Sequence, residues 1–118
     1  MAAVSKPACP CGSGDPYSGC CEPLHLGAPA PSPEALMRSR YSAFALGLAD
    51  YLLASWHPST RPATLELDDT EWRRLQIVDV SGDVVEFRAS YRGGLLHERS
   101  RFAQVGGRWL YVDGVVLE

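Results

Sequence analysis

The sequence predicts an α+β fold, with two to three helices packed on one face of a four-stranded antiparallel sheet and a cysteine-rich segment ahead of them. Three observations predict it. Between Val84 and Arg92, Val85, Phe87, Ala89 and Tyr91 alternate with Glu86, Arg88, Ser90 and Arg92, the period of a half-buried strand. Two glycine pairs, Gly93-Gly94 and Gly106-Gly107, punctuate the later chain, and paired glycines accept the positive φ angles of a two-residue hairpin turn. Upstream, Leu36, Met37, Tyr41, Phe44 and Leu48 recur at three- and four-residue spacing, so helices precede strands, the segregated order of an α+β chain.

The totals are those of an ordinary soluble chain. With 118 residues, 46% hydrophobic and 21% charged, the protein can close one modest core. No apolar run reaches the length of a membrane span, and residues 1–6 lack the apolar stretch of a signal peptide, so a cytoplasmic location is expected. A net charge of −3 supplies no general attraction to phosphate backbones.

Taken in order, residues 9–25 read CPCGSGDPYSGCCEPLH, almost free of aliphatic side chains, and such a segment cannot order itself by burial. Residues 27–31 (GAPAP) read as a stiff, exposed linker. Ser32 is placed to cap a helix with Pro33 at its first position and Glu34 in its first turn. Arg38 and Ser42 fall off the apolar stripe of that helix, and Gly47 ends or kinks it. A second helix carries Tyr51, Leu52, Leu53 and Trp56 and stops before Pro58. Residues 69–74 (DTEWRR) are expected as one helical turn that brings Trp72 onto the body, and residues 75–80 as the first strand, turning at Ser81-Gly82-Asp83.

Placing the next turn on Gly93-Gly94 pairs Arg92 with Leu95, Tyr91 with Leu96, Ala89 with Glu98, Phe87 with Ser100 and Val85 with Phe102. Glu98 and Ser100 then point inward. Placing the last turn on Gly106-Gly107 sets Phe102 against Tyr111, Gln104 against Trp109 and Ser100 against Asp113, with the final strand over residues 108–116. The outer face receives Arg88, Arg92, His97, Arg99 and Arg101, a basic stripe, and Leu75, Ile77, Leu110 and Val112 are assigned beside it. Exposed apolar residues next to arginines suggest a partner surface, including a homodimer through the outer sheet face. The chain divides into residues 1–26, a Pro-rich linker over 27–33, and a body over 34–118.

All four cysteines lie in the first segment, spaced C-x-C-x8-C-C as Cys9, Cys11, Cys20 and Cys21. Two disulfides are awkward with Cys20 and Cys21 adjacent, and a cytoplasm keeps thiols reduced. Zn²⁺ is the better account, because four thiolates bind it tetrahedrally in a closed, structural site. Gly12, Ser13 and Gly14 allow the turn that folds the first pair onto the second. Cys21 and His25 compete for the fourth position; Cys21 is favoured because it closes a compact loop, whereas His25 requires residues 22–24 to turn back.

The stretch CPCGSGDPYSGCC resembles the SEC-C motif, the zinc knuckle also found at the end of the SecA translocation ATPase. With RSRYSAF (residues 38–44), WHPSTRP (56–62), LHERSRF (96–102) and GRWLYVDG (107–114), the whole chain resembles the YchJ-like family of bacterial proteins. The resemblance implies an N-terminal knuckle with Cys9, Cys11, Cys20 and Cys21 as ligands, followed by a cone like that of nuclear transport factor 2. The family brings no settled activity.

Such a cone would be lined by Tyr41, Trp56, Phe87, Tyr91, Phe102, Trp109 and Tyr111, with Glu98 and Ser100 among them. A carboxylate surrounded by aromatics tends to a raised pKa, which makes Glu98 the sharpest candidate for a general acid or base, assisted by His57 or Asp113. The competing structural reading pairs Glu98 with Arg38 or Arg40, since a buried charge needs a partner. The function expected first is a zinc-binding accessory or interaction protein. Its knuckle, with only Lys6 as a basic neighbour, would recruit a protein rather than nucleic acid, and its cone would offer a surface or small-ligand cavity. The alternative is a small-molecule enzyme or binder built on Glu98.

Overall fold

The structure, a computed structural model, describes residues 7–117. Lys6 and Glu118 lie outside the described residues. Among the described residues, a 3₁₀ turn over Tyr17–Gly19 and a short helix α1 over Glu22–His25 follow the first cysteines. Helix α2 spans Pro33–Leu46 and α3 spans Ala49–Ala54. Four strands follow, β1 over Trp72–Ser81, β2 over Val84–Tyr91, β3 over Gly94–Val105 and β4 over Arg108–Val116. They form one antiparallel meander in chain order, and α2 packs against β1, β2 and β4 from one side. The α+β class predicted from the alternation and the helical stripe is the one observed. No described helix is long and apolar enough to cross a membrane.

The boundaries of α2 follow from its sequence. Ser32 is extended and its hydroxyl accepts from the Ala35 amide at 3.1 Å, Pro33 stands at the first helical position, and Gly47 closes the helix at φ 76°. Trp56 falls just past α3 and bridges to Tyr111 of β4, while the amide of His57 donates to the Tyr111 carbonyl at 2.7 Å. Residues 69–74 are not a helical turn. Their second half is the start of β1, because Trp72 pairs with Tyr91 and stacks edge-on against both Tyr91 and Tyr41.

The two glycine pairs work differently. At the last turn Gly106 and Gly107 both take positive φ, 56° and 80°, and Phe102 faces Tyr111 and Gln104 faces Trp109 as the sequence predicts. At the central turn only Gly93 does, at 99°, so Arg92 and Gly93 form the turn and Tyr91 pairs with Gly94. Gly94 is needed for room: a Cβ there would sit within 3.0 Å of the Tyr91 ring. The register therefore shifts by two residues, and Phe87 faces Glu98, Val85 faces Ser100 and Ala89 faces Leu96. A shift of two preserves the side of every residue, so Glu98 and Ser100 still point inward.

Two assignments on the sheet are corrected. Leu75 and Ile77 pair with Ala89 and Phe87, which places them on the inner face; Leu75 is buried in the core. An irregularity in β4 between the Phe102–Tyr111 and Arg101–Asp113 pairs makes Gly114, not Asp113, the partner of Ser100. The expected basic stripe is laced with acids. Arg101 makes a two-pronged pair with Asp113 at 2.7 Å, His97 meets Glu86 at 2.8 Å, and Arg99 lies 3.8 Å from Asp79. With Leu75 and Ile77 turned inward, much of the apolar surface that suggested a second copy on this face is gone.

Candidate functional site

The cysteine segment is a small hairpin. The Cys9 amide donates to the Asp15 carbonyl at 2.9 Å and the Tyr17 amide to the Pro7 carbonyl at 3.0 Å, while Gly12 and Gly14 take φ 78° and 90° to turn the chain between them. The turn brings Cys9 and Cys11 back onto Cys20 and Cys21 at the start of α1. All four Sγ atoms lie within 4.8 Å of one another. Cys11 and Cys20 are 3.5 Å apart, Cys20 and Cys21 3.9 Å, and all four are free thiols. A tetrahedron with metal–sulfur bonds of about 2.3 Å has edges of about 3.8 Å, so the donor set fits one ion.

The surroundings suit thiolates. The Ser42 hydroxyl donates to Cys21 Sγ at 3.3 Å and lies 3.6 Å from Cys9 Sγ, and the Ser13 hydroxyl is 3.1 Å from Cys20 Sγ. Hydrogen bonding from Cys21, set against burial and helped by Ser13, holds the Cys11 thiol down at about 4. The hydrogen bond to Cys11 together with burial pushes Cys21 up, and burial pushes Cys20 up. Four sulfurs this close cannot all be anionic without a cation among them.

His25 stands apart from the sulfurs. Its Nε2 is 2.8 Å from the Ser39 carbonyl, which can only accept, so Nε2 carries the proton and Nδ1 accepts from the Tyr17 hydroxyl at 2.7 Å. Its ring also packs edge-on against Tyr51. Both nitrogens are spent, Nε2 on holding α1 to α2 and Nδ1 on holding it to the 3₁₀ turn.

A second concavity lies between α2 and the inner face of the sheet. It has a volume of about 230 Å³ and is walled by Tyr41, Phe44, Trp56, Trp72, Phe87 and Tyr111, with Arg40, Glu98 and Ser100 among them. Of the lining expected from sequence, Tyr91, Phe102 and Trp109 are not part of it: Phe102 is in the solid core, and Trp109 borders a separate groove with Leu24, Tyr51 and Arg108. Glu98 Oε2 accepts from the Ser100 hydroxyl at 2.6 Å, and the carboxylate lies across Gly114, where a Cβ would collide with it.

Neither expected arginine forms an ion pair with Glu98. Arg38 bonds Glu34 and the Cys11 carbonyl, both at 3.0 Å. Arg40 bonds the Leu52 carbonyl at 2.8 Å and Ser55 Oγ at 2.6 Å, and its guanidinium lies 4.5 Å from the centre of the Tyr111 ring and 5.1 Å from that of Trp56. Burial pushes Arg40 down to about 10, which leaves it charged at neutral pH, and burial followed by the Glu98 charge pushes Tyr111 up to about 12.

The three acid–base candidates are not brought together. Glu98 lines the cavity. His57 lies in the exposed loop after α3, where Nδ1 accepts from the Ser59 amide and is 2.7 Å from its hydroxyl. Asp113 is on the outer face, held by Arg101, which keeps its carboxyl below the usual range. Arg40, which the sequence offers only as a partner for Glu98, lines the cavity without forming that ion pair; its place at Leu36 plus four and Phe44 minus four, inside the apolar stripe, is the signal of its burial.

Comparison with known proteins agrees with this architecture. Residues 32–114 match the family described as YchJ, middle NTF2-like domain. A UPF0225 protein of Streptomyces coelicolor is 54% identical, with 98% of this chain and all of the relative covered, and one of Deinococcus radiodurans is 54% identical over 89% of this chain and 86% of its own. Among solved structures, a SEC-C motif containing protein from Rhodopseudomonas palustris superposes with a TM-score of 0.80 at 37% identity, covering 93% of this chain and 98% of that one. Another from Psychrobacter arcticus gives 0.67 at 26% identity over all of this chain and 78% of its own. A helix-backed four-stranded sheet carrying a four-cysteine hairpin, matched along nearly its whole length by these relatives, belongs to the YchJ-like, UPF0225 family.

Proposed function

We propose that the protein is a zinc-binding accessory protein whose knuckle, over residues 1–26, recruits a protein partner in the cytoplasm. The observation that carries the metal reading is the convergence of Cys9, Cys11, Cys20 and Cys21, backed by hydroxyl donors from Ser42 and Ser13. Four sulfur ligands close the shell of Zn²⁺ and leave no place for a reactive water, so the metal is structural. His25, with both nitrogens engaged, is the weaker fourth ligand. The knuckle surface presents Asp15 and Glu22, and a four-thiolate zinc site adds negative charge, which favours a protein partner over nucleic acid.

Protein purified without chelator should carry about one zinc per chain, measured by elemental analysis, and Cys9→Ser or Cys20→Ser should lower it. Full metal content in both variants would overturn the ligand set. Recruitment through the knuckle predicts that Leu26→Asp, at a residue 80% exposed beside the hairpin, releases a co-purifying partner while retaining zinc. Acid–base catalysis by Glu98 is the less supported reading, because His57 and Asp113 are not at the cavity.

A further inference from the structure

The cavity under α2 contains an arginine that the protein does not fully use. Arg40 is 3% exposed, yet only its Nη1 is hydrogen-bonded, and Nε and Nη2 have no partner among the described residues. No described carboxylate lies within ion-pair distance of it; its guanidinium is held instead by the rings of Tyr111 and Trp56. A cation this deep is costly to desolvate, and its spare nitrogens, which are not fully sealed from solvent, keep donors that a ligand's acceptor can take over from water. Glu98 in the same cavity is half satisfied: Oε2 takes the Ser100 hydroxyl and Oε1 takes nothing within the described residues. Trp56 Nε1, on the same wall, is buried without an acceptor.

We infer that this cavity is a binding site for a small uncharged planar molecule of the aromatic amide class, its carbonyl accepting from Arg40 and its N–H donating to Glu98. The size sets the scale, since about 230 Å³ lies below the roughly 300 to 1,000 Å³ of ordinary small-molecule pockets and admits one ring with a short substituent. The walls set the body of the ligand, because Phe44, Trp72 and Phe87 offer aromatic faces and edges to a flat ring. The two charges set its neutrality. A carboxylate ligand would satisfy Arg40 but meet Glu98, and an ammonium would satisfy Glu98 but meet Arg40; a molecule with one acceptor and one donor satisfies both. This reading is independent of the zinc site.

The test is a titration of the full chain, with the zinc it carries on purification, by benzamide, benzoate and benzylamine in turn. Binding is followed by two-dimensional NMR of the Trp56 Nε1–H and the Ala89 and Leu96 methyls. Benzamide should give saturable shifts at these residues and bind at least about tenfold tighter than either charged analogue, the ratio expected when one buried charge loses its partner. Arg40→Met should abolish the preference and Glu98→Gln should weaken benzamide severalfold, while Arg88→Met on the outer face should leave it unchanged. Saturation by benzoate or benzylamine at lower concentration than benzamide, or no saturable shift from any of the three, would overturn the assignment. The ranking of the three probes on the unmodified chain decides the matter even if Arg40→Met fails to fold, and zinc content, read separately, reports on the knuckle alone.

Discussion

The hairpin of residues 8–25 buries sulfur and little else, whereas β2 and β3 bury Val85, Phe87, Ala89 and Phe102 against α2. The first region closes mainly through contacts between near neighbours along the chain, such as Cys9 with Asp15 and Pro7 with Tyr17. The second closes through side chains brought together by strand pairing across the whole meander. Burial of aliphatic and aromatic surface at roughly 25 cal/mol per Å² holds the sheet without help. The hairpin has no such reserve, and on the proposed zinc reading it would rest on an ion worth about 10 to 16 kcal/mol in comparable knuckles. On that reading local chain economy is exchanged for reliance on a ligand.

That contrast can be broken most sharply by removing the metal. Chelation, or Cys11→Ser, should expose residues 7–26 to proteolysis while the amides of β2 and β3 keep their hydrogen-exchange protection. Simultaneous loss in both regions would mean that the two are one cooperative unit. The converse variant is Phe102→Ala. Phe102 is 1% exposed and packs edge-on against Tyr111, so its truncation should cost about 3 to 5 kcal/mol in denaturant unfolding while zinc content stays at the wild-type level.

Smaller effects sharpen the boundary between the regions. Ser42→Ala removes the hydroxyl that donates to Cys21, a loss of about 1 kcal/mol, and should speed zinc transfer to a competing chelator about fivefold. The least effect belongs to Asp113→Asn on the exposed outer face. Arg101 lowers the Asp113 pKa in the folded state, so the pair contributes only above the unfolded value of about 3.9 and is lost as pH falls through the folded value. The stability difference between wild type and Asp113→Asn should be small at neutral pH and vanish in acid, measured by thermal unfolding across that range.

Sequence periodicity carried the fold a long way because it reports which side of a strand is wet. The inward placement of Glu98 survived a wrong turn assignment for that reason. What periodicity does not report is why a glycine is present: Gly93 supplies a positive φ, but Gly94 makes room for Tyr91, and only the packed ring distinguishes the two uses. The irregularity that turns Asp113 outward is equally silent in the pattern; it sits where Thr60 Oγ1 donates to the Val112 carbonyl at 2.6 Å, a contact across fifty-two positions. The cysteine spacing announced the four-sulfur cluster because those residues are close along the chain. Arg40 was legible only as a partner for Glu98, because a buried arginine reads as a charge in need of an acid, whereas the cavity makes it a wall.

Helix α2 serves two neighbours at once. Ser39 and Ser42 on one side meet His25 and the sulfurs, while Arg40, Tyr41 and Phe44 on the other form the cavity. A knuckle grafted onto another protein without this helix would leave behind the hydroxyl that supports its thiolates and the carbonyl that anchors its histidine. Conversely, any event that rotates the helix by even a fraction of a turn must be felt on both of its sides, so tuning one site by mutation will tend to detune the other.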